Sequence, residues 1–283
     1  MTAGEAIRAA AERLAAISDT ARLDAEVLMA HAFGVSRSDL LLRHMRDSEP
    51  AGFAALVERR AASEPVAYIV GHQDFFGLTL AVSPAVLIPR GDSEVLVEAA
   101  LAARPAATSV LDCGTGSGAL LLAVLANIPG AKGIGIDRSP ETLAIAKSNA
   151  EATGMGDRAE MRLADWDQLD WSAGLGKFDL ILANPPYVEE AAQLDASVRA
   201  FEPAGALFAG VEGLDAYRVL IPQLCDLLAP GGAALIEIGH TQAAPVAAIA
   251  SAVGFESRLH HDLGGRPRVL ELQIPLGKQG ASA

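Results

Sequence analysis

Across residues 1–65 apolar positions recur with the period of a helix. Ile7, Ala10, Ala11, Leu14 and Ile17 share one face, and Leu23, Val27, Leu28 and His31 with Phe33 continue the pattern beyond the polar break Ser18-Asp19-Thr20. Gly34 is the expected stop of that second helix. Leu40-Leu41-Leu42, then Phe53, Leu56 and Val57, predict two more helices before Ser63-Glu64-Pro65. The result is a small N-terminal helical domain, too short to be very stable alone. From Val66 to Val82 the pattern turns extended, with a strand-like run at Leu78-Thr79-Leu80-Ala81-Val82 and irregular backbone marked by Pro84 and Pro89. Residues 66–90 therefore read as a β-hairpin linker. From Ser93 onward strands alternate with helices, which predicts a mostly parallel sheet and an α/β domain over residues 91–283. The last strand is expected at Arg268 to Ile274, after Gly264-Gly265, with Pro267 at its start, where a missing N–H donor is tolerated.

The ends of four predicted strands carry unusual residues. Val110-Leu111-Asp112-Cys113 runs into Gly114-Thr115-Gly116-Ser117-Gly118, and a helix follows from Ala119. Glycines there permit positive φ and a close backbone approach to a ligand at a helix N-terminus. The loop also satisfies a G-x-G-x-x-A dinucleotide fingerprint through Gly114, Gly116 and Ala119, so alone it does not separate a nicotinamide cofactor from S-adenosylmethionine. The next strand, Gly133-Ile134-Gly135-Ile136, ends in Asp137, whose carboxylate can accept both hydroxyls of a ribose. Ala159 to Leu163 leads to Asp165 and Trp166, equally readable as a helix cap and a packing residue. In an open α/β sheet such strand ends line one crevice.

The fourth end is the most informative. Phe178-Asp179-Leu180-Ile181-Leu182-Ala183 runs into Asn184-Pro185-Pro186-Tyr187. A carboxamide or aromatic amine is a poor nucleophile because its lone pair is delocalised, and two fixed acceptors on its N–H groups hold it in one attacking geometry. The Asn184 side-chain oxygen and a carbonyl of Pro185 or Pro186 can be those acceptors, and Tyr187 offers a flat ring. The competing reading is an ordinary strand-ending turn.

Charge and composition narrow the partners. The 283 residues are 51% hydrophobic, enough for a sizeable core, and carry a net charge of −13, a poor footprint for a protein that must displace counterions from phosphates. Direct nucleic-acid binding is not expected. The two cysteines, Cys113 and Cys225, and the six histidines show no metal-ligand or disulfide spacing, so no metal is expected. Glu5 and Glu12 interrupt what a signal peptide would need as its apolar core, and no apolar run reaches membrane-spanning length, so a cytoplasmic setting without membrane attachment is expected.

Together these segments make the chain resemble the bacterial release-factor glutamine methyltransferases. The resemblance rests on Glu64-Pro65-Val66-Ala67-Tyr68-Ile69 with Gly71, Phe75-Phe76-Gly77, Leu87-Ile88-Pro89-Arg90, the Gly114 to Gly118 loop and Asn184 to Tyr187. Val198-Arg199 with Phe201-Glu202-Pro203, Glu237-Ile238-Gly239 with Gln242, and Asp262 to Arg266 with Arg268 extend it. It implies a class I S-adenosylmethionine-dependent methyltransferase, Rossmann-like, that methylates the side-chain amide nitrogen (N5) of the glutamine in the Gly-Gly-Gln motif of peptide chain release factors and leaves S-adenosylhomocysteine. By resemblance, Gly114, Thr115, Gly116, Ser117 and Gly118 surround the methionine part of the cofactor, Asp137 holds its ribose, and Asp165 and Trp166 flank its adenine. Asn184, which also borders the cofactor, and Pro185 hold the substrate amide, with Pro186 and Tyr187 beside it. The chain departs from the family at Gly91-Asp92-Ser93-Glu94, where Pro-Asp-Thr-Glu is usual, and at Cys113, where an aliphatic residue is commoner. Three other readings stay in view: a ribosomal-protein glutamine methyltransferase; against the charge, a nucleic-acid amine methyltransferase; and, against the complete set of motif residues, a catalytically silent cofactor-binding scaffold.

Overall fold

Residues 1–275 are described by a computed structural model, whose contacts separate Met1–His72 together with Leu194–Glu202 from the rest of the described chain. In the first unit, α1 (Ala3–Leu14) starts at a capping box in which the Thr2 hydroxyl accepts the Glu5 N–H and the Glu5 carboxylate accepts the Thr2 N–H. α2 (Ala21–Phe33) stops at Gly34, which takes the left-handed conformation at φ 69°. The face of α2 that is buried differs from the one apolar periodicity suggests. Leu23 is 43% exposed and His31 is exposed, while Asp24 and Glu26 are buried beside Ala25, Leu28 and Met29. Ion pairing is the reason: Asp24 accepts from Arg60 Nε at 2.8 Å, and Glu26 is held by Arg22 at 2.6 Å and Arg37 at 2.7 Å. Paired in this way, a carboxylate occupies a core position that an apolar count cannot assign to it.

Arg37–Asp39 (α3) runs on as a π-helix over Leu40–His44, burying Leu40 and leaving Leu42 79% exposed. α4 spans Phe53–Ala61. The expectation of extended backbone from Val66 fails, because Val66–Val70 forms a short helix, α5. Pro65 stands at its N-cap, Gly71 closes it at φ 83°, and Ala67, Tyr68 and Ile69 are buried. Burial of that face outweighs the strand preference of a Val-Ala-Tyr-Ile-Val run.

In the second unit β1 (His72–Phe75) and β2 (Leu78–Ala81) form a two-stranded sheet. Then follow α6 (Glu94–Ala103), β3 (Ser109–Cys113), α7 (Ala119–Asn127), β4 (Lys132–Asp137), α8 (Pro140–Ala152), β5 (Ala159–Leu163) and β6 (Phe178–Ala183). After α9 (Ala196–Phe201), which falls in the first unit, come α10 (Asp215–Leu224), β7 (Leu228–Glu237), α11 (Ala243–Ala252), β8 (Glu256–His261) and β9 (Pro267–Gln273). The seven-stranded sheet has the order β5-β4-β3-β6-β7-β9-β8. Its first five strands are parallel and the β9-β8 pair is antiparallel, as is β9 to β7.

Alternation along the central strands explains why the sheet is covered twice. Val110, Leu180, Leu182, Ala233 and Leu235 face one core with Leu96, Val97, Leu121 and Leu122, while Leu111, Cys113, Ile181, Ala183, Ala234 and Ile236 face another with Tyr217, Leu220, Ile221 and Val246. A strand apolar on both faces needs helices on both sides, and βαβ crossovers supply them. From β3 the chain winds outward through β4 and β5, then returns to β6 on the other flank of β3. That reversal opens a crevice above the C-terminal ends of β3 and β6.

Asn149, 2% exposed on α8, joins the hairpin to the loop after β3. Its Oδ1 accepts the Ala81 N–H at 2.8 Å, and its Nδ2 donates to Ala81 O at 3.0 Å and Ser117 O at 2.9 Å. Asn149→Ala should destabilise the protein by about 2–3 kcal/mol by stranding these backbone groups. A thermal unfolding midpoint within a degree of wild type would contradict that role.

Candidate active site

Sheet register sets the site. Cys113 pairs with Ile136 on one side and Ala183 on the other, and Ala183 pairs with Ile236. One residue further, Asp137, Gly114, Asn184 and Glu237 stand side by side across β4, β3, β6 and β7. Asp137 in turn pairs with Leu163, so Asp165 and Trp166 follow just beyond on the neighbouring strand. Over this row opens a cavity of about 620 Å³. All the cofactor positions named from sequence, Asn184 included, line it except Gly118, and Pro186 joins them; Pro185 and Tyr187 are not among its lining residues.

The glycine loop takes its shape from left-handed backbone, with φ of 74° at Gly114, 56° at Gly116 and 85° at Gly118. The amides of Gly114 and Thr115 both donate to Ile136 O, at 2.9 and 2.8 Å, which ties the loop to β4. The Trp166 ring lies so close that a Cβ on Gly114 would come within 3.0 Å of it. Asp137 accepts the Gly116 N–H at 3.2 Å on Oδ2 and the Ser139 N–H at 3.0 Å on Oδ1. A carboxylate has about four acceptor positions, so these two hydrogen bonds leave it capacity for further donors. Burial raises the Asp137 pKa, offset in part by those two backbone N–H groups.

Below the loop, Asp112 is fully buried; Thr115 Oγ1 donates to its Oδ2 at 2.7 Å, while Oδ1 has no hydrogen-bond partner. Burial pushes its pKa up to about 7. Cys113 beside it is also fully buried, its thiol raised first by burial and then by the Asp112 charge.

The Asn184–Tyr187 segment is braced from several sides. Gln242, 8% exposed, donates from Nε2 to Tyr187 O and Gly213 O, each at 3.1 Å, and accepts the Gly239 N–H at 3.0 Å. Val188 bridges to Phe208. Asn184 Nδ2 donates to Ser93 Oγ at 3.4 Å, and the Tyr187 hydroxyl donates to Glu237 Oε1 at 3.4 Å. Burial raises the Tyr187 pKa, and the nearby Glu237 charge adds to it. Glu237 is 1% exposed, its pKa pushed up to about 7 by burial despite the Ser93 hydroxyl and the Arg268 charge. Arg268 is shared with Asp92 at 2.6 Å and Asp262 at 3.2 Å. The sequence gives Ser93 and Gln242 no site role and Glu237 only a place at the border of the cofactor pocket, whose lining it does not join. A signal for Glu237 existed, a lone acid ending the apolar run Ala233-Ala234-Leu235-Ile236. Among the described residues no three His, Cys, Asp or Glu side chains gather as metal ligands would, and no helix is long and apolar enough to cross a membrane.

Comparison with known proteins shows the family of the chain. The family described as the PrmC N-terminal domain matches residues 5–71, and a methyltransferase domain family matches residues 105–253. A release factor glutamine methyltransferase of Cereibacter sphaeroides is 44% identical, with 97% of this chain and 99% of that protein aligned. One from Moorella thermoacetica is 42% identical over 95% of this chain and 97% of its own length. Among solved structures, a methyltransferase from Pyrococcus furiosus superposes with TM-score 0.51 at 18% identity, covering 77% of this chain and 96% of that one. An O-methyltransferase family protein from Burkholderia thailandensis gives TM-score 0.51 at 16% identity over 92% and 96%. These two likenesses concern the fold alone.

The buried acids make stability depend on pH. Native Asp112, at about 7 against an ordinary value of 3.8, holds its proton where the unfolded chain has lost it. Its contribution to stability is thus full below the unfolded value and is lost as pH rises towards 7. Asp112→Asn removes this penalty, so the melting temperature of the variant relative to wild type should climb between about pH 4 and pH 7 and level off above it. A difference independent of pH would mean that folding does not raise the Asp112 pKa.

Proposed function

Because the chain belongs to the release factor glutamine methyltransferases, we propose that it transfers the methyl group of S-adenosylmethionine to the side-chain amide nitrogen of the glutamine in the Gly-Gly-Gln motif of a peptide chain release factor. The observation that carries this reading is the row formed by Asp137, Gly114 and Asn184 at one level under a single cavity. In this reading the cofactor lies over the Gly114 loop at the end of β3, and the carboxamide of Asn184 stands at the end of the neighbouring strand β6.

The residues present fit that cofactor. Gly114 leaves no side chain where a Cβ would already crowd Trp166, Gly116 and Ser117 keep the loop against the cavity, and Asp137 retains acceptor capacity for two ribose hydroxyls. Asp165 and Trp166 flank the adenine end, and Gly118 shapes the loop from behind. When bound, S-adenosylmethionine supplies an electrophilic methyl on a sulfonium, which loses its positive charge as the bond breaks.

What the chain then contributes is alignment. Asn184 Oδ1 and the Pro185 carbonyl accept the two N–H groups of the glutamine amide and hold its nitrogen in line. Neither proline has an N–H to compete for these acceptors. Pro186 walls the cavity, and Tyr187, pinned to Glu237, keeps the segment from turning. An N-alkylated amide that still carries its extra proton is strongly acidic, so proton loss needs no tuned base. The helical region, residues 1–65, and the hairpin segment within 66–90 provide the wider contacts to the release factor, in a cytoplasmic setting.

The direct test incubates the protein with labelled S-adenosylmethionine and, separately, release factor, ribosomal protein and DNA, and locates the methyl by peptide mass spectrometry. Methylation of the Gly-Gly-Gln glutamine alone is expected; label confined to ribosomal protein or DNA would reject the reading. Asn184→Ala should abolish single-turnover transfer and leave cofactor affinity by calorimetry largely intact. Asp137→Ala should weaken cofactor binding by about 1–3 kcal/mol, the usual cost of a lost charge-assisted hydrogen bond, with much of the rate restored at saturation. An unchanged affinity with a collapsed maximal rate would remove Asp137 from the ribose.

A further inference from the structure

An amide such as Asn184 presents either its oxygen or its NH2 to the cavity, and the two faces have opposite consequences for a substrate amide. Only the oxygen can accept a substrate N–H. Something on the protein side must therefore choose the face.

Ser93 is placed to do so. It stands at the start of α6, where a serine ordinarily caps the helix, yet its side chain makes no capping hydrogen bond. It is 4% exposed, lines the cavity, and receives the Asn184 Nδ2 donor at 3.4 Å. Glu237 is near enough for the Ser93 hydroxyl to favour its ionised form, and its Oε2 is buried without a hydrogen-bond partner, an acceptor left for a nearby hydroxyl. A buried ionised carboxylate only accepts, so a hydroxyl beside it must donate to it. The serine lone pairs are then left for Asn184, which can meet them only with its NH2.

We propose that Ser93 and Glu237 are positioning residues for the methyl acceptor: ionised Glu237 fixes the Ser93 hydroxyl as a donor towards itself, Ser93 Oγ then accepts from Asn184 Nδ2, and Asn184 Oδ1 is turned to the substrate amide. The inference rests on the glutamine-holding role of Asn184 proposed above. Tyr187 donates to the same carboxylate and belongs to the same network, and the Tyr217 hydroxyl donates to the Glu237 carbonyl at 3.0 Å and fixes the strand end. The other charges acting on Glu237 are Arg268, which favours its ionised form, and Asp92, which opposes it. Protonated Glu237 becomes a donor to Ser93, the serine hydroxyl turns to Asn184, and the amide faces the cavity with the wrong group. Because burial brings the Glu237 pKa to about 7, this change falls within the working range.

The test uses the full chain with S-adenosylmethionine and release factor over pH 6–9. Wild-type kcat should rise through pH 7. Glu237→Gln, which does not titrate, should be flat across this range; retention of the wild-type profile overturns the proposal. Ser93→Ala should lower kcat about 10–100-fold, the scale of a small misplacement of reacting groups, with cofactor affinity changed less than about twofold. Ser93→Thr should restore the rate to within about threefold of wild type, since it keeps the hydroxyl. Equal losses in Ser93→Ala and Ser93→Thr would mean a packing role and sink the idea.

A second readout needs neither substrate nor activity. In glutamate carboxyl-13C-labelled protein, the Glu237 resonance, identified by its loss in Glu237→Gln or by its response to Tyr187→Phe, should titrate near pH 7 and move upward in Ser93→Ala. An unmoved midpoint overturns the relay. Wild-type protein that leaves release factor unmethylated rejects the substrate reading instead, and the titration still decides on Ser93 and Glu237.

Discussion

Everything at the site depends on one constraint, the register of four neighbouring parallel strands. Side-by-side pairing of Cys113 with Ile136 and Ala183, and of Ala183 with Ile236, makes the next residue of each strand a member of a single row. The row is rigid because the strands beneath it are buried on both faces, so no strand can slip by one residue without turning Leu180, Leu182 and their neighbours away from their own core. Loops then need only begin correctly. Gly114 starts the left-handed turn, Asp137 receives the Gly116 amide from that same turn, and Asn184 begins a segment held by Gln242. Positional accuracy at the cavity is thus inherited from hydrophobic packing well away from it.

That inheritance explains what was legible in the sequence. The strand limits at Ala159–Leu163 and Phe178–Ala183 and the helix after Gly118 follow from local apolar runs ended by glycine or polar residues, and the structure has them there. Asp137 and Asn184 could be named because each directly terminates such a run. Ser93 and Glu237 are of a different kind. Glu237 also ends an apolar run, but its meeting with Ser93 depends on β7 lying beside β6 with α6 above it, which no local pattern encodes.

The misread segments have a common physical origin as well. Asp24 and Glu26 take buried places on α2 because Arg60 and Arg37, from elsewhere in the chain, neutralise them together with Arg22 one turn away on the same helix. Val66–Val70 is helical because its buried side and its Pro65 and Gly71 boundaries favour one closed turn over an extended run. In both cases a long-range contact decides between alternatives that the local residues leave nearly balanced.

The charge arrangement around the row is also selective. A carboxylate beside a sulfonium would stabilise the positive charge of the bound state, which the reaction must then lose, and so would raise the barrier. Neutral dipoles, the Asn184 carboxamide and the Pro185 carbonyl, carry no such penalty while still holding an amide. Glu237 and Asp112 are both kept back from the cavity, one behind Ser93 and Tyr187 and the other under Thr115. Glu237 in that position still has an effect, because a charge that cannot touch the reacting atoms can dictate which way a hydroxyl points and, through it, which face an amide presents. The proposed site thus uses its buried anion for orientation and leaves the transfer itself to aligned neutral groups.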